Sequence, residues 1–244
     1  MVGYQAVSSQ AGASPFTVTK SGLTRASAVA AIAAGTIFIG VQIGHPQLTT
    51  SSITSTNVSI REYLKVVFAV LAVAGITGVY LDQVRRNGMV GLIGYLLLAL
   101  GYLNIMCTTF IGAFVAPTIA DTNPGYVKDV IALATSRGSV TGDLGALDAF
   151  WKFQGICYLA GGLIFGIALS RARVLARWAC VLLAVSGAIS AVLSQMPDAF
   201  YRLLAVPNGI ALIALGFSLW QVQRQADTRA RLAAEPTAAP AAAV

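Results

Sequence analysis

One apolar hairpin decides the fold of this chain: YLKVVFAVLAVAGITGVYL (63–81), DQVRRNG (82–88) and MVGLIGYLLLALGYLNIMCTTFIGAFVA (89–116). Each apolar run is about as long as an α-helix that crosses the hydrocarbon core of a bilayer, which needs roughly 20 residues. The charged turn between the runs is too short for anything except a return into the same membrane. The hairpin therefore predicts two neighbouring transmembrane helices. The second should stop at Pro117, since proline cannot continue a helix without kinking it.

The rest of the chain has the same apolar character. Its 244 residues are 57% hydrophobic and only 10% charged, and the mean hydropathy is +0.76. Soluble domains carry about 25% charged residues, so these few charges could not cover the surface of a water-soluble protein. Further apolar runs lie at 26–43, 150–169, 178–196 and 200–222. The sequence thus predicts an all-α integral membrane protein, a bundle of about six transmembrane helices in a lipid bilayer.

The basic residues give the predicted bundle a direction. The net charge is +7, but the lysines and arginines lie in short segments beside the apolar runs. That pattern orients membrane proteins, and we expect no nucleic-acid partner. Ten of the 16 basic residues fall in the two tails and in the second and fourth connections. The positive-inside rule places these segments, and with them the N- and C-termini, on the cytoplasmic side.

The segments outside the apolar runs form tails and loops around a transmembrane domain at 24–222. The composition of residues 1–23 predicts a flexible cytoplasmic tail. The composition of residues 223–244 predicts a second tail, which begins as a charged helix and ends disordered. Residues 117–149 predict a long external loop. Apolar residues recur at helical spacing from 126 to 134, which favours a short amphipathic helix on the outer membrane face, with a structureless loop as the alternative.

Polar side chains inside the predicted spans mark where a site would lie, because such groups are costly in hydrocarbon. Most fall toward the outer face, which predicts an outward-opening cavity with apolar walls and a polar rim. The alternative is structural, since these residue types also bond between helices or form interfacial aromatic belts. The candidate substrate-binding residues are Tyr63, Asn104, Trp151, Phe153, Gln154, Tyr158, Tyr201 and Asn208.

Two carboxyl groups are the catalytic candidates: Glu62 at the start of the second span and Asp198 at the start of the sixth. An acid in apolar surroundings keeps its proton. With an aromatic-lined pocket, it could protonate a double bond, as an isoprenoid or terpene cyclase does. Asp198 has a structural alternative, because it can cap its own helix or pair with Arg202 one turn later.

Other residue types argue against several kinds of chemistry. The only histidine, His45, precedes a proline in a loop, which does not suit a positioned base, and one histidine cannot form a histidine-rich metal centre by itself. The three cysteines lie in apolar runs without a CxxC motif, which predicts packing residues. We expect no metal and no cofactor. Glycines at 91 and 94, at 161, 162 and 166, and at 209 and 216 predict close helix packing.

The stretch GGLIFGIALSRARVLARWACVLLAVSG (161–187) resembles a segment of a family of small bacterial six-helix membrane proteins of unknown function. In both, a glycine-rich span, an arginine-containing turn and a Leu/Ala span follow one another, although Ala176 stands where the family has proline. The resemblance implies fold and topology and transfers no catalytic residue. With the alanine- and arginine-rich composition, it indicates a bacterial inner membrane.

Three functions remain open from the sequence. The first is a non-catalytic protein that binds an apolar or isoprenoid ligand and assembles with a membrane-protein partner or as a homo-oligomer. The second is a membrane-embedded enzyme acting on an isoprenoid or lipid. The third is a small transporter, which is least favoured because charged or broken helices at mid-membrane are scarce. The absence of a catalytic motif favours the first.

Overall fold

The computed structural model describes residues 18–193 and 205–234, with the backbone alone for residues 190–193 and 234, and all regular structure in these ranges is helical. Five helices are long and apolar enough to cross a membrane, so the chain is a multi-pass helical membrane protein. The described part of α6, 17 residues, is shorter, and a sixth crossing stays a prediction. The helices are α1 (Lys20–Gly40), α2 (Thr56–Asp82), α3 (Val84–Ile119), α4 (Pro124–Thr135), α5 (Leu147–Ala172), α6 (Arg177–Leu193) and α7 (Ala205–Ala234).

Six of these helices pack side by side as a closed ring, in the order α1, α2, α3, α5, α6, α7, with α7 returning to α1. Neighbours run antiparallel: Gly75 of α2 lies against Ala31 of α1, whereas Gly78 lies against Ser27. An ion pair between Arg25 and Asp227 joins the start of α1 to the end of α7. We call this end of the ring the tail end, and the opposite end, which holds the α1–α2 connection, the loop end.

Side chains fill the interior of the ring, and apolar side chains also cover its outside. Phe68, Tyr102 and Phe165 are fully buried between the helices. On the outer surface, Val70 and Phe217 are more than half exposed, and similar residues lie on all six helices of the ring. Soluble monomers rarely expose apolar surface on this scale, so the ring is built to face lipid.

Glycine brings the helix backbones into contact, as the spacing of small residues predicts. A Cβ atom on Gly94 would lie 2.4 Å from the backbone nitrogen of Phe165, and one on Gly161 would lie 2.2 Å from that of Leu98. Gly166 and Gly216 meet backbone atoms of α6 and α1 in the same way. The prediction of close packing is confirmed at these positions, because even a methyl group would push the backbones apart.

The third helix differs from its prediction beyond residue 110. It continues past Pro117 to Ile119, through a π-helical turn at Ile111–Val115. The amide of Ala116 donates to the carbonyl of Ile111, five residues back. This wider turn relieves the clash between the proline ring and the preceding turn, and the missing proline N–H is tolerated. The prediction that the helix ends at Pro117 is therefore wrong.

Helix boundaries shift elsewhere because caps extend the helices beyond the apolar runs. Helix α2 begins at Thr56, well before residue 63, because Ser55 caps it by accepting from the amide of Val58. In the third loop, α4 begins after Asn123, whose side chain accepts from the amide of Tyr126. The predicted disordered ends of the two tails lie outside the described residues.

Candidate functional site

Glu62 is buried at the loop end and ion-paired. Its Oε1 accepts a hydrogen bond from Lys65 Nζ at 2.5 Å and lies 3.8 Å from Nε2 of His45. The side chain of Glu62 is 7% exposed. An ammonium group at hydrogen-bonding distance stabilises the charged carboxylate. A cyclase needs the opposite, an acid that keeps its proton, so this geometry gives the cyclase alternative no support.

His45 is held in a defined position although it lies in a loop. Its imidazole is 3% exposed, and its Nδ1 lies 2.8 Å from the carbonyl oxygen of Pro46. The opposite ring nitrogen faces Glu62. The expectation that this histidine is not positioned is wrong, because its two ring nitrogens lie beside the carbonyl of Pro46 and the carboxylate of Glu62. Sequence spacing gives no indication of this contact.

The π-helical turn of α3 covers the other side of Glu62. A Cβ atom on Gly112 would lie 3.4 Å from Oε2 of Glu62, so the glycine leaves just enough room for the carboxylate. Tyr63, which follows Glu62 in the sequence, is 43% exposed. Its ring centroid lies 5.0 Å from that of Phe114 in the π-helical turn. Glu62 and Tyr63 thus both lie against the π-helical turn of α3.

A second group of candidates lies between helices inside the ring. The hydroxyl of Tyr102 donates to Oδ1 of Asn208 at 3.3 Å, which links α3 to α7. The ring of Tyr158 stands edge-on to Tyr102, with centroids 5.7 Å apart. Asn208 and Tyr102 are both buried, so their contact is a bond between helices.

The remaining candidates on α3 and α5 are spread between the interior and the surface. Thr108 donates to Oε1 of Gln154 at 2.8 Å. Asn104 is buried, and its Nδ2 has no hydrogen-bond partner among the residues that the structure describes. Trp151 is half-buried and Phe153 is 46% exposed. Among the described residues, no hydrogen bond or ion pair links any of them to Glu62.

Two candidates, Asp198 and Tyr201, lie outside the described residues. Their assigned roles, Asp198 as a catalytic acid and Tyr201 as a substrate-binding residue, therefore stay predictions.

An open groove of about 520 Å³ lies at the loop end, between the last turn of α1 and the first turns of α2. Apolar side chains from both helices form its walls, and Arg61 is its one charged lining residue. A Cβ atom on Gly40 would meet nothing within 4 Å, so this glycine keeps the groove open. Sequence reasoning missed this site, because its walls come from two helices separated by a loop. The apolar walls include Ile37, Val41, Ile60 and Leu64.

Arg61 is fixed in place by the backbone of the turn that follows α1. Its Nη1 donates to the carbonyls of Val41 at 2.7 Å and Ile43 at 2.9 Å, and its Nε donates to Oδ1 of Asn57 at 2.7 Å. The carbonyls that end a helix lack partners within it, and Arg61 supplies donors there. Among the described residues no carboxylate pairs with this guanidinium. It is a rigid cation beside an apolar groove.

No protein-family model, no curated protein and no solved structure matches this chain.

Proposed function

We propose that the chain crosses the bacterial inner membrane six times, with both tails in the cytoplasm, and binds an apolar small molecule in the groove between α1 and α2. The groove carries this proposal, since its volume of about 520 Å³ lies within the range of small-molecule sites. The orientation rests on charge. The basic residues of the tails and of the second and fourth connections lie at the tail end, which the positive-inside rule makes cytoplasmic.

The shape of the groove selects a chain-like ligand. Its walls extend from Ile37 to Val41 on α1 and from Asn57 to Leu64 on α2. With a rise of 1.5 Å per residue, this is about 10 Å along the helix axes. The groove opens to the outside of the ring, where lipid lies in the proposed topology. A segment of an isoprenoid or acyl chain would fit along it.

The two alternative functions have less support. Glu62, the candidate acid, is ion-paired and does not line the groove. A carrier needs an interior site with access from both faces, whereas the described interior is filled by residues such as Phe68, Tyr102 and Phe165. Non-catalytic binding therefore accounts best for the described residues.

Mass spectrometry of copurifying molecules tests the proposal. The chain and its Gly40→Leu variant would be purified in parallel, and the bound lipids and isoprenoids extracted and identified. The leucine side chain would project into the groove, so we expect the unsubstituted chain to retain an apolar species that Gly40→Leu loses.

Gly155→Leu is the matched control. A Cβ atom on Gly155 also meets nothing within 4 Å, but this residue lies on α5, away from the groove. It should retain the same species as the unsubstituted chain. Identical bound species in Gly40→Leu and the unsubstituted chain would overturn the proposal.

A further inference from the structure

We infer that the ligand of the α1–α2 groove carries an anionic head group, a phosphate or a carboxylate, that pairs with Arg61. This inference rests on the proposed function and names the class of molecule that the groove takes. Three features of the loop end support it: the donors that Arg61 has left, the local balance of charge, and the direction of α2.

The hydrogen bonds of Arg61 leave one nitrogen of its guanidinium, Nη2, to donate to a ligand. An arginine side chain has five N–H donors. The bond to Asn57 uses the one on Nε, and the bonds to the carbonyls of Val41 and Ile43 occupy Nη1. Nη2 takes part in none of these bonds. Each of its N–H groups can donate a charge-assisted hydrogen bond to an oxygen atom of an anion.

The charges around Arg61 favour an anion. Its sequence neighbour Glu62 is already paired with Lys65. The three residues together carry a net positive charge, which belongs to Arg61. Beside apolar walls, where the dielectric constant is low, an unpaired cation attracts an anion more strongly than it does in water. The groove therefore offers one positive charge and a place for an apolar chain.

The direction of α2 adds to this attraction. Arg61 lies in the second turn of α2, which begins at Thr56, and the N-terminal end of a helix carries a partial positive charge. The C-terminal end of α1 would repel an anion, but its carbonyls at Val41 and Ile43 already accept from Arg61. An anionic head group would thus meet donors on the α2 side of the groove.

Head-group chemistry can be separated from chain binding with three probes that share one chain length: dodecyl phosphate, dodecanoate and dodecanol. Their affinities would be measured for the full chain in nanodiscs of phosphatidylcholine, a zwitterionic lipid without net charge. We expect at least one of the two anions to bind about tenfold more tightly than dodecanol, as for a hydrogen bond to a charged group. The two anions distinguish a phosphate-headed from a carboxylate-headed ligand.

Two substitutions at the polar edge of the groove test the role of Arg61. Arg61→Gln should abolish the preference for anions, so that the two anions bind no more tightly than dodecanol. Asn57→Asp keeps the shape of the side chain that accepts from Nε, but supplies an internal counter-charge. It should weaken the same preference even if Arg61→Gln does not fold. Gly40→Leu should reduce binding of all three probes.

The outcomes separate this inference from the proposed function. Equal binding of the three probes, lost in Gly40→Leu, would overturn the anionic head group and leave the groove as a binding site. A preference for anions that survives both Arg61→Gln and Asn57→Asp would overturn the assignment to Arg61. Binding of no probe by the unsubstituted chain would contradict the proposed function itself.

Discussion

The contact between α3 and α5 and the loop end of α1 and α2 use glycine in opposite ways. At the first, Gly94 and Gly161 bring two backbones so close that a Cβ atom would lie 2.2–2.4 Å from a main-chain atom. At the second, Gly40 faces open space, and Arg61 joins α1 to α2 by hydrogen bonds to carbonyl oxygens. One pair of helices is held by packing, and the other, at this end, by polar side chains.

This difference explains where a ligand can enter. Helices in lipid gain little from apolar burial, so they associate by close packing and by hydrogen bonds between them. Close packing leaves no volume for a guest molecule. Polar side chains that span a gap hold helices together while leaving volume beside them, and the groove next to Arg61 is such a volume. The comparison can be tested at each kind of contact.

The largest effect on stability is expected at the packed contact. Gly161→Ala places a methyl group against the backbone of Leu98 and should lower the free energy of unfolding by about 3 kcal/mol, the upper range for overpacking. Denaturant unfolding in mixed micelles would measure this. Gly155→Ala on the same helix is the control and should cost nothing measurable. Equal stability of the two variants would show that α3 and α5 do not pack this closely.

A smaller loss is expected from the ion pair between Glu62 and Lys65, which lies within α2 at the loop end. Glu62→Gln leaves the ammonium of Lys65, whose side chain is 20% exposed, without its carboxylate. Because that ammonium is partly solvated, we expect a loss of about 2 kcal/mol, below the range for fully buried pairs. The double variant Glu62→Gln/Lys65→Met should recover part of it. The losses of the single variants Glu62→Gln and Lys65→Met would be added for comparison. A double variant less stable than this sum predicts would contradict a stabilising ion pair between the two residues.

The third loop extends the comparison, because it too is held by polar groups. The backbone amides of Thr141 and Gly142 donate to the carboxylate of Asp129 and hold its pKa below the ordinary value. This stabilisation is present above the pKa of an unfolded aspartate, about 3.9. It is lost as the pH falls through the lowered value of the folded chain.

Hydrogen exchange reports this loop directly. Protection of the amides of Thr141 and Gly142 should hold from neutral pH to about pH 5 and fall below about pH 4. Asp129→Asn should reduce the same protection at neutral pH, since an amide oxygen accepts more weakly than a carboxylate. Protection that stays constant down to pH 2 would contradict this account.

The smallest effect on stability is expected at the open glycine. Gly40→Leu meets no atom within 4 Å of its Cβ and should change the free energy of unfolding by less than about 0.5 kcal/mol, even though it removes the groove. Thermal unfolding of ligand-free protein is the measurement. A loss as large as that of Gly161→Ala would mean that Gly40 is a packing residue after all.

Hydropathy and the spacing of small residues predict most of the packed part of the molecule. Long apolar runs can only be membrane helices, and Gly94 and Gly161 lie at the positions where a close helix contact needs them. Helix ends were predicted less well. The rule that proline stops a helix fails at Pro117, because a π-helical turn precedes it, and such turns have no reliable sequence pattern.

The candidate site was predicted only in part. Glu62 was identified as a candidate acid and its catalytic role stays a prediction, but its ion pair was missed, although Lys65 three residues later could have indicated one. His45 and Arg61 were missed because their partners lie across a loop, on a different helix or at its end. Such contacts depend on which side of each helix faces its neighbours. In apolar runs with few polar residues, the sequence does not show which side that is.

The ion pair between Arg25 and Asp227 has a consequence for the order of assembly. These residues belong to the first and last helices of the ring. The contact between α1 and α7 that closes the ring therefore joins the helix that is synthesised first to the helix that is synthesised last. Helix α1 enters the membrane with one flank exposed to lipid and keeps it so until α7 emerges from the ribosome. A chain that stops before α7 would lack the final seam of its own ring.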